Sequence, residues 1–230
     1  MSTSLPQGEE KMRAVREMFD TIAPRYDLVN RVMTFGLDVR WRKVAVRSLR
    51  LPAGAVVLDL AAGTGDFCRE LQRAGHAPVG VDLSFGMLAA ARTDAPLVQG
   101  DALRLPVADG AVDGVTCGFA LRNFVALAPV FDELARVLRP GGRIALLDVA
   151  APVNPVLRWG HGVYFGRVVP RIGAALNGAG RDAYRYLPKS AAYLPEGDAM
   201  VAMLRDVGFV DAERRLLSAG ITQLLTGTRR

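Results

Sequence analysis

Short apolar runs rich in Val and Leu alternate with amphipathic segments through the middle of the chain. The runs that predict strands are residues 55–60, 78–81, 96–99, 111–117 and 143–149. The segments that predict helices are residues 66–74, 84–91 and 126–138, and the last of these is expected to stop at Pro140, Gly141 and Gly142. Strands that alternate with helices predict an α/β fold with a mostly parallel sheet.

The two ends of the chain break this alternation. Residues 208–216 and 221–227 are strand-like with no helix between them, which predicts an antiparallel hairpin at one end of the sheet. Residues 9–20, 26–33 and 37–49 predict helices that precede the first strand, so they cannot be crossovers and should cover the sheet. We predict a single domain over residues 1–230. Its parts are a helical cover at 9–50, the sheet core at 51–150, an insert at 151–196, and a helix and hairpin at 197–230.

The insert is longer than a plain crossover requires, and it carries aromatic residues amid Gly and Ala. They are Trp159, Tyr164, Phe165, Tyr184, Tyr186 and Tyr193. Such residues suit a flat, partly apolar ligand, so the insert is where we expect a substrate lid. Core packing is the alternative use of any single aromatic in this set.

Composition sets broad limits on the class of protein. The chain has 230 residues, of which 50% are hydrophobic, and this is typical of a globular protein. Cys68 and Cys117 lie in predicted elements far apart in sequence, so small buried thiols of a reducing compartment are expected. The sequence shows no secretory leader and no apolar run long enough to span a bilayer, so we expect a cytoplasmic protein.

The formal net charge is +6, which fits an anionic partner such as RNA or an acidic lipid surface. A composition that favours Arg explains the charge equally well. Aromatic residues do not interleave with the basic ones, as they do where a protein stacks bases. We therefore expect no nucleic-acid partner.

The most informative stretch is VVLDLAAGTGD at residues 56–66, in which an apolar strand meets a glycine turn and then a helix. In an open α/β sheet this order builds a ligand crevice. Gly63 and Gly65 have no Cβ, so the backbone can lie against a ligand. A dinucleotide-binding fingerprint would place a third glycine where Cys68 stands, so the turn alone does not choose the ligand.

Carboxylates follow the next two predicted strands. Asp82 stands at the end of the predicted strand 78–81, about twenty residues after the turn. There it can accept hydrogen bonds from both hydroxyls of an adenosine ribose. Asp101 comes just after residues 96–99. Two such acids beside a glycine turn suit a nucleoside without phosphates, because a pyrophosphate prefers basic or amide surroundings. The alternative is that both acids are ordinary helix caps or turn residues.

Together these motifs resemble the class I S-adenosylmethionine-dependent methyltransferases. The resemblance implies that the glycine turn underlies the amino-acid part of the cofactor, that Asp82 holds the ribose, and that Asp101 with Ala102 holds the adenine. The residues assigned to the cofactor S-adenosylmethionine on this basis are Asp59, Gly63, Thr64, Gly65, Asp82, Asp101, Ala102 and Gly118.

Three further stretches resemble the ubiquinone/menaquinone C-methyltransferase family (UbiE/MenG), over nearly the whole chain from Val15 onward. They are FDTIAPRYDLVNRVMTFGLDVRW at 19–41, GFALRN with ARVLRPGGRIALLDVA at 118–123 and 135–150, and VPRIG with AYRYLPKS at 169–173 and 183–190. Some positions depart from the family. Gly118 replaces a hydroxyl residue that contacts the cofactor in relatives, Asp148 stands where Glu is usual, and Asp38 stands where His is frequent. These departures bear on the substrate more than on the type of reaction.

Arg122 and Asn123 directly follow the fourth predicted strand, beside the expected position of the transferred methyl group. The resemblance implies that this pair orients a quinol hydroxyl or a water that takes its proton. A protonated Arg cannot itself be the base. Tyr26 and Asp27 lie in the helical cover and are placed to contact quinol or cofactor. The alternative for Arg122 is that it caps a helix or pairs with an Asp.

The activity that the resemblance implies is S-adenosylmethionine-dependent C-methylation of a polyprenylated quinol. Conversion of demethylmenaquinol to menaquinol is the main hypothesis, and a benzoquinol of ubiquinone biosynthesis is the alternative. More distant rivals are an RNA methyltransferase and a non-catalytic cofactor-binding assembly protein. An insoluble isoprenoid tail predicts peripheral contact with the cytoplasmic membrane face. A homodimer is left open, and no metal is expected because no Cys/His cluster suggests one.

Overall fold

Helices precede the sheet, as the sequence predicts. The computed structural model describes residues 7–169, 171–172 and 190–230. Its first helices are α1 (Gly8–Ile22), α2 (Tyr26–Met33) and α3 (Leu37–Leu49). A 3₁₀ turn at Ala23–Arg25 separates α1 from α2, because Pro24 has no amide hydrogen with which to continue the hydrogen-bond pattern of α1.

Within the described residues, seven strands form one sheet. The strands are β1 (Val56–Leu60), β2 (Ala77–Asp82), β3 (Leu97–Gln99), β4 (Val112–Gly118), β5 (Leu138–Val149), β6 (Phe209–Leu217) and β7 (Thr222–Arg229). They lie in the order β3-β2-β1-β4-β5-β7-β6, with β1 to β5 parallel and β7 antiparallel to both of its neighbours. The predicted mostly parallel sheet with a C-terminal antiparallel hairpin is therefore confirmed. The strand order reverses between β1 and β4, which is where open α/β sheets bind ligands.

The remaining helices connect or flank the strands. They are α4 (Asp66–Arg73), α5 (Phe85–Ala89), α6 (Leu127–Val137), α7 (Pro155–Val163) and α8 (Gly197–Asp206). Helix α7 belongs to the insert and continues into a π-helical turn at Tyr164–Val168. The insert residues Tyr184 and Tyr186 lie outside the described part of the chain. None of the described helices is long and apolar enough to cross a membrane.

One predicted boundary is wrong. Helix α6 ends at Val137, one residue before the predicted end, but β5 already begins at Leu138, before the predicted strand start at residue 143. Leu138 is extended (φ −78°, ψ 134°), is buried, and pairs with Val112, so its place in the sheet outweighs the local helix preference. Pro140 and its two glycines then lie in an irregular part of β5, where the register against β4 shifts.

Two buried clusters hold the helices against the sheet. In the first, Phe131 of α6 and Leu204 of α8 pack with residues of β1, β4 and β5. In the second, Leu49 of α3 and Phe67 of α4 pack with Val57 and other inward-facing residues of the sheet. Since α3 belongs to the second cluster, the N-terminal region is part of the core and also extends over the carboxyl ends of the strands.

Candidate active site

A cleft opens at the carboxyl ends of β1, β2 and β4, and residues of α1 and α2 form part of its wall. It encloses about 1080 Å³, counting the space at its open mouth. The sequence-predicted residues that line it are Tyr26, Asp59, Gly63, Thr64, Asp82, Asp101, Ala102, Gly118 and Asn123. Gly65 and Arg122 are not among its lining residues. The two strand-end carboxylates and the glycine turn therefore meet at one cavity.

The two glycines of the turn have different roles. Gly63 lines the cleft at φ 55°, and a Cβ built on it would meet nothing within 4 Å. Gly65 precedes α4 at φ 83°, and a Cβ there would lie 2.6 Å from Cγ2 of Thr93. Gly63 therefore leaves open space beside the turn, whereas Gly65 is required by left-handed backbone and by packing against Thr93.

Asp82 is held by two backbone amides. Its Oδ2 accepts a hydrogen bond from the amide of Gly63 at 2.8 Å, and its Oδ1 accepts one from the amide of Ser84 at 2.8 Å. Burial raises the pKa of Asp82, although these amides oppose the shift. A carboxylate has about four acceptor sites, so two bonds leave capacity for a ligand. Asp82 is thus a turn acid and part of the cleft wall at the same time.

The loop after β3 brings Asp101 into the cleft lining. Its Oδ1 accepts a hydrogen bond from the amide of Leu103 at 3.0 Å, and Ala102 is buried beside it. This side-chain-to-backbone bond fixes the loop locally. Asp101 therefore lines the cavity from a braced turn.

Asp59 is a buried acid near the carboxyl end of β1, with 1% exposure. Its carboxylate accepts hydrogen bonds from Oγ1 of Thr116 at 2.9 Å and from the thiol of Cys68 at 3.5 Å. Burial raises the pKa of Asp59 to about 7, although both hydrogen bonds and the charge of Arg42 oppose the rise. This carboxyl group therefore changes charge near neutral pH.

Acids of the N-terminal helices hold the loops that line the cleft. Asp20 of α1 accepts hydrogen bonds from Oγ of Ser84 at 2.5 Å and from the amide of Gly86 at 2.8 Å. Asp27 of α2 accepts one from the hydroxyl of Thr64. Asp27, considered from the sequence as a ligand contact, is engaged with the glycine turn. The contribution of Asp20 was missed, although its Phe-Asp pair belongs to the stretch at 19–41.

A cluster of charged residues joins α2 and α3 to the start of α4. Its members are Asp27, Arg31, Asp38, Arg42, Asp66 and Arg69. Nη1 of Arg42 lies 2.6 Å from Asp38 and 3.2 Å from Asp66, and Arg42 also lines the cleft. The sequence motifs named above do not include Arg42. The one signal for it was its position directly after the stretch at 19–41, four residues from Asp38.

The predicted catalytic residues are placed differently from one another. Arg122 is buried in an ion pair with Asp148, and its Nε donates to Oγ of Ser190 at 3.1 Å. Asn123 lines the cleft, and its buried Oδ1 has no hydrogen-bond partner within the described structure. Tyr26 also lines the cleft, and burial raises the pKa of its hydroxyl. The geometry thus favours the alternative in which Arg122 pairs with an Asp.

Gly118, at the end of β4, lines the cleft without a side chain. A Cβ built on it would lie 2.7 Å from Cε2 of Phe67. The ring of Phe67 therefore occupies the space that a hydroxyl side chain at position 118 would need.

Comparison with known proteins agrees with this geometry. The model of the ubiE/COQ5 methyltransferase family matches residues 7–229. The chain is 42% identical to a demethylmenaquinone methyltransferase of Roseiflexus castenholzii, over 98% of both chains. It is 38% identical to a ubiquinone/menaquinone biosynthesis C-methyltransferase UbiE of Geobacter sulfurreducens, over 96% of this chain and 90% of that one.

The fold is shared with solved methyltransferases. A SAM-dependent methyltransferase of Thermotoga maritima superposes with a TM-score of 0.66 at 19% identity, covering 94% of this chain and 99% of that one. The mostly parallel sheet with its C-terminal antiparallel hairpin agrees with the class I arrangement that the sequence motifs predict. The chain belongs to the ubiE/COQ5 methyltransferase family and is an S-adenosylmethionine-dependent methyltransferase.

Proposed function

We propose that this enzyme methylates a ring carbon of a polyprenylated quinol and converts demethylmenaquinol to menaquinol. The names of the relatives support this substrate class. The observation that carries the proposal is the unpartnered Oδ1 of Asn123, which lies in the same cleft as the acids and the glycine turn. An acceptor of this kind fits a substrate hydroxyl, because a buried polar atom without a partner costs free energy until a ligand supplies one.

The cofactor is proposed to lie along the acidic side of the cleft. Asp82 would hold the ribose hydroxyls, and Asp101 with Ala102 the adenine. The turn of Gly63 and Thr64, supported by Gly65, would lie against the amino-acid part, together with Asp59 and Gly118. When bound, the sulfonium group supplies an electrophilic methyl group and a positive charge. The open space beside Gly63 and the free acceptor capacity of Asp82 fit such a group.

The quinol is proposed to lie against the apolar side of the cleft. Met12, Val15 and Phe19 of α1 line this side, together with Phe124 and Val125. Side chains of this type exclude water and leave alignment of the reacting atoms as the main task of the protein.

Asn123 would accept a hydrogen bond from the quinol hydroxyl whose proton loss makes the ring carbon nucleophilic. Arg122 supports this arrangement indirectly. Its side chain is held by Asp148 and Ser190, and so it fixes the turn that carries Asn123. Tyr26 lines the same cleft, and its hydroxyl is protonated at neutral pH, since its ordinary pKa of about 10 lies well above neutral and burial raises it further. It can therefore donate a hydrogen bond to the substrate.

The isoprenoid tail leads us to propose docking at the inner face of the cytoplasmic membrane. Phe35 and Trp159 are 79% and 73% exposed, and Val156 and Leu157 of α7 are exposed with them. The ring of Phe35 lies 5.9 Å from that of Tyr164, so the turn before α3 adjoins the insert. Apolar side chains and a net charge of +6 are the features by which a protein binds an anionic lipid surface.

The substrate is tested by incubating the enzyme with methyl-labelled cofactor and reduced demethylmenaquinone, and identifying the methylated lipid by mass spectrometry. We expect labelled menaquinol, and little label in a demethylated benzoquinol or in bulk tRNA. The Asp82→Asn variant is the control and should lose turnover together with affinity for S-adenosylhomocysteine. Preferential methylation of the benzoquinol, or no product from either quinol, would refute the proposed substrate.

Asn123→Ala should lower kcat roughly 10- to 100-fold, because one hydrogen bond to the reacting hydroxyl is lost. Its affinity for S-adenosylhomocysteine, measured by calorimetry, should stay within about twofold. Gln72→Ala, at an exposed position of α4 outside the cleft, is the control and should keep kcat. An unchanged kcat in Asn123→Ala would remove this residue from the mechanism.

Arg122→Ala should instead lower the free energy of unfolding by about 3–5 kcal/mol, because it leaves Asp148 buried without its charge partner.

Affinity for S-adenosylhomocysteine should rise about tenfold between about pH 6 and about pH 8, because Asp59 ionises over this interval and its carboxylate would attract the ligand's ammonium group. Below pH 7, binding should release protons, which calorimetry in buffers of different ionisation enthalpy measures. Asp59→Asn should lose both effects. In the free protein, stability changes with pH in the opposite direction. Burial raises the pKa of Asp59 in the folded state, so its protonated form stabilises the fold. The free energy of unfolding should therefore fall as pH rises towards about 7. An affinity that does not change over this interval would contradict the role given to Asp59.

Flotation with anionic vesicles tests the docking surface. The wild-type protein should float at low salt, and the double substitution Phe35→Ser/Trp159→Ser should weaken binding at least several-fold. Val98→Ser, at an exposed apolar position on β3, is the control and should bind like wild type. Failure of the wild type to float would refute docking. A concentration-dependent dimer that the double substitution abolishes would assign this surface to a homodimer instead.

A further inference from the structure

One buried cation lines the cleft. Among the described lining residues only Arg16 and Arg42 are basic, and Arg16 lies on α1 with about half of its side chain exposed. Arg42 is 6% exposed and belongs to α3. The same cleft is lined by Asp59 and Gly63, where the amino-acid part of the cofactor is proposed to lie. A buried charge is costly unless every part of it has a partner, so the hydrogen-bonding of this guanidinium needs an explanation.

The protein engages one corner of the guanidinium. Nη1 of Arg42 donates to Asp38 at 2.6 Å and lies 3.2 Å from Asp66. Neither Nε nor Nη2 forms a hydrogen bond with any residue in the described part of the chain. A guanidinium has five N–H donors in a fixed plane, so the edge formed by Nε and Nη2 retains donors.

The plane of the guanidinium is constrained by aromatic rings. Cζ of Arg42 lies 5.8 Å from the ring centroid of Phe67 and 5.7 Å from that of Phe119. Asp38 is itself held by the hydroxyl of Thr34, which donates to it at 2.8 Å. Arg42 is therefore preorganised, and binding a ligand would require little reordering of its long side chain.

The charges around Arg42 favour its charged form. Burial opposes that form, but the carboxylates of Asp66 and Asp38 outweigh burial and raise the pKa of Arg42. The charge of Arg42 in turn acts on Asp59, whose pKa it lowers. A cation and an acid that share one cavity complement a zwitterion, which is what the amino-acid part of the cofactor is.

We propose that the Nε and Nη2 edge of Arg42 binds the α-carboxylate of the cofactor, while Asp59 faces its ammonium group. This inference rests on the proposed cofactor site and adds a residue that the glycine turn and the strand-end acids do not include. Arg and carboxylate pair through two parallel hydrogen bonds, so the contact would fix the orientation of the amino-acid part as well as its charge.

The test compares two ligands that differ by one group, S-adenosylhomocysteine and its decarboxylated amine analogue. In wild type the analogue should bind roughly 10- to 100-fold more weakly, as expected for a lost charge-assisted contact. Arg42→Gln should lower affinity for S-adenosylhomocysteine by a similar factor and leave affinity for the analogue within about twofold. Arg31→Gln is the matched control, since Arg31 pairs with the same two acids but does not line the cleft. It should bind both ligands like wild type.

The outcomes separate binding from folding. An equal loss of affinity for both ligands in Arg42→Gln, or the same loss in Arg31→Gln, would overturn the inference. It would show that Arg42 only holds the start of α4 through Asp66. Equal binding of the two ligands by wild type would overturn it as well, and this measurement needs no variant to fold. If wild type bound neither ligand, the proposed cofactor site itself would fall. Thermal unfolding of each variant shows whether lost affinity reflects lost structure.

Discussion

The arrangement of the site depends on two carboxylates from the N-terminal helices. Asp20 holds the start of α5 through Ser84 and Gly86, and Asp27 holds the glycine turn through Thr64. Hydrogen bonds to charged groups contribute about 1.5–3 kcal/mol each, which is large beside the total stability of a domain. A Cβ on Gly86 would lie 2.9 Å from Cα of Asp20, so α1 approaches this loop too closely for a side chain. The helical cover is therefore a structural part of the cleft.

Lys11 provides a third attachment of the same cover. Its ammonium group is buried, donates to the carbonyls of Arg122 at 3.1 Å and Phe124 at 2.6 Å, and lies 3.7 Å from the ring centroid of Tyr193. Burial lowers the pKa of Lys11 to about 8, so the group is still mostly charged at neutral pH. Through this one residue, α1 is connected to the turn that carries Asn123 and to the end of the insert. Displacing α1 would therefore disturb both sides of the cleft together.

The sequence predicted the parts of this structure that depend on local pattern. The strands, the glycine turn and the acids after β2 and β3 follow from periodicity and from residues close in the chain. The positions of Gly65, Arg42 and Arg122 do not follow from local pattern, because each depends on a partner that the fold brings near. Gly65 packs against Thr93, Arg42 pairs with Asp66, and Arg122 pairs with Asp148. The start of β5 is wrong for the same reason, since pairing with β4 extends the strand back through Pro140 and its two glycines to Leu138.

The departures from the family pattern acquire physical meaning in their surroundings. At Gly118, where the resemblance implies a hydroxyl side chain, the ring of Phe67 fills the space and also lies near the guanidinium of Arg42. Asp148 stands where the resemblance implies Glu. Its Oδ1 forms the ion pair with Arg122, and its Oδ2 accepts a hydrogen bond from the Arg122 amide at 3.2 Å. The turn at Leu121–Asn123 is thus held to β5 by both the backbone amide and the side chain of Arg122. Gly118 lines the cleft, whereas Asp148 does not line it and acts on the turn that carries Asn123. Each takes its meaning from a partner distant in sequence, and this is why sequence alone could identify the family but not the individual contacts.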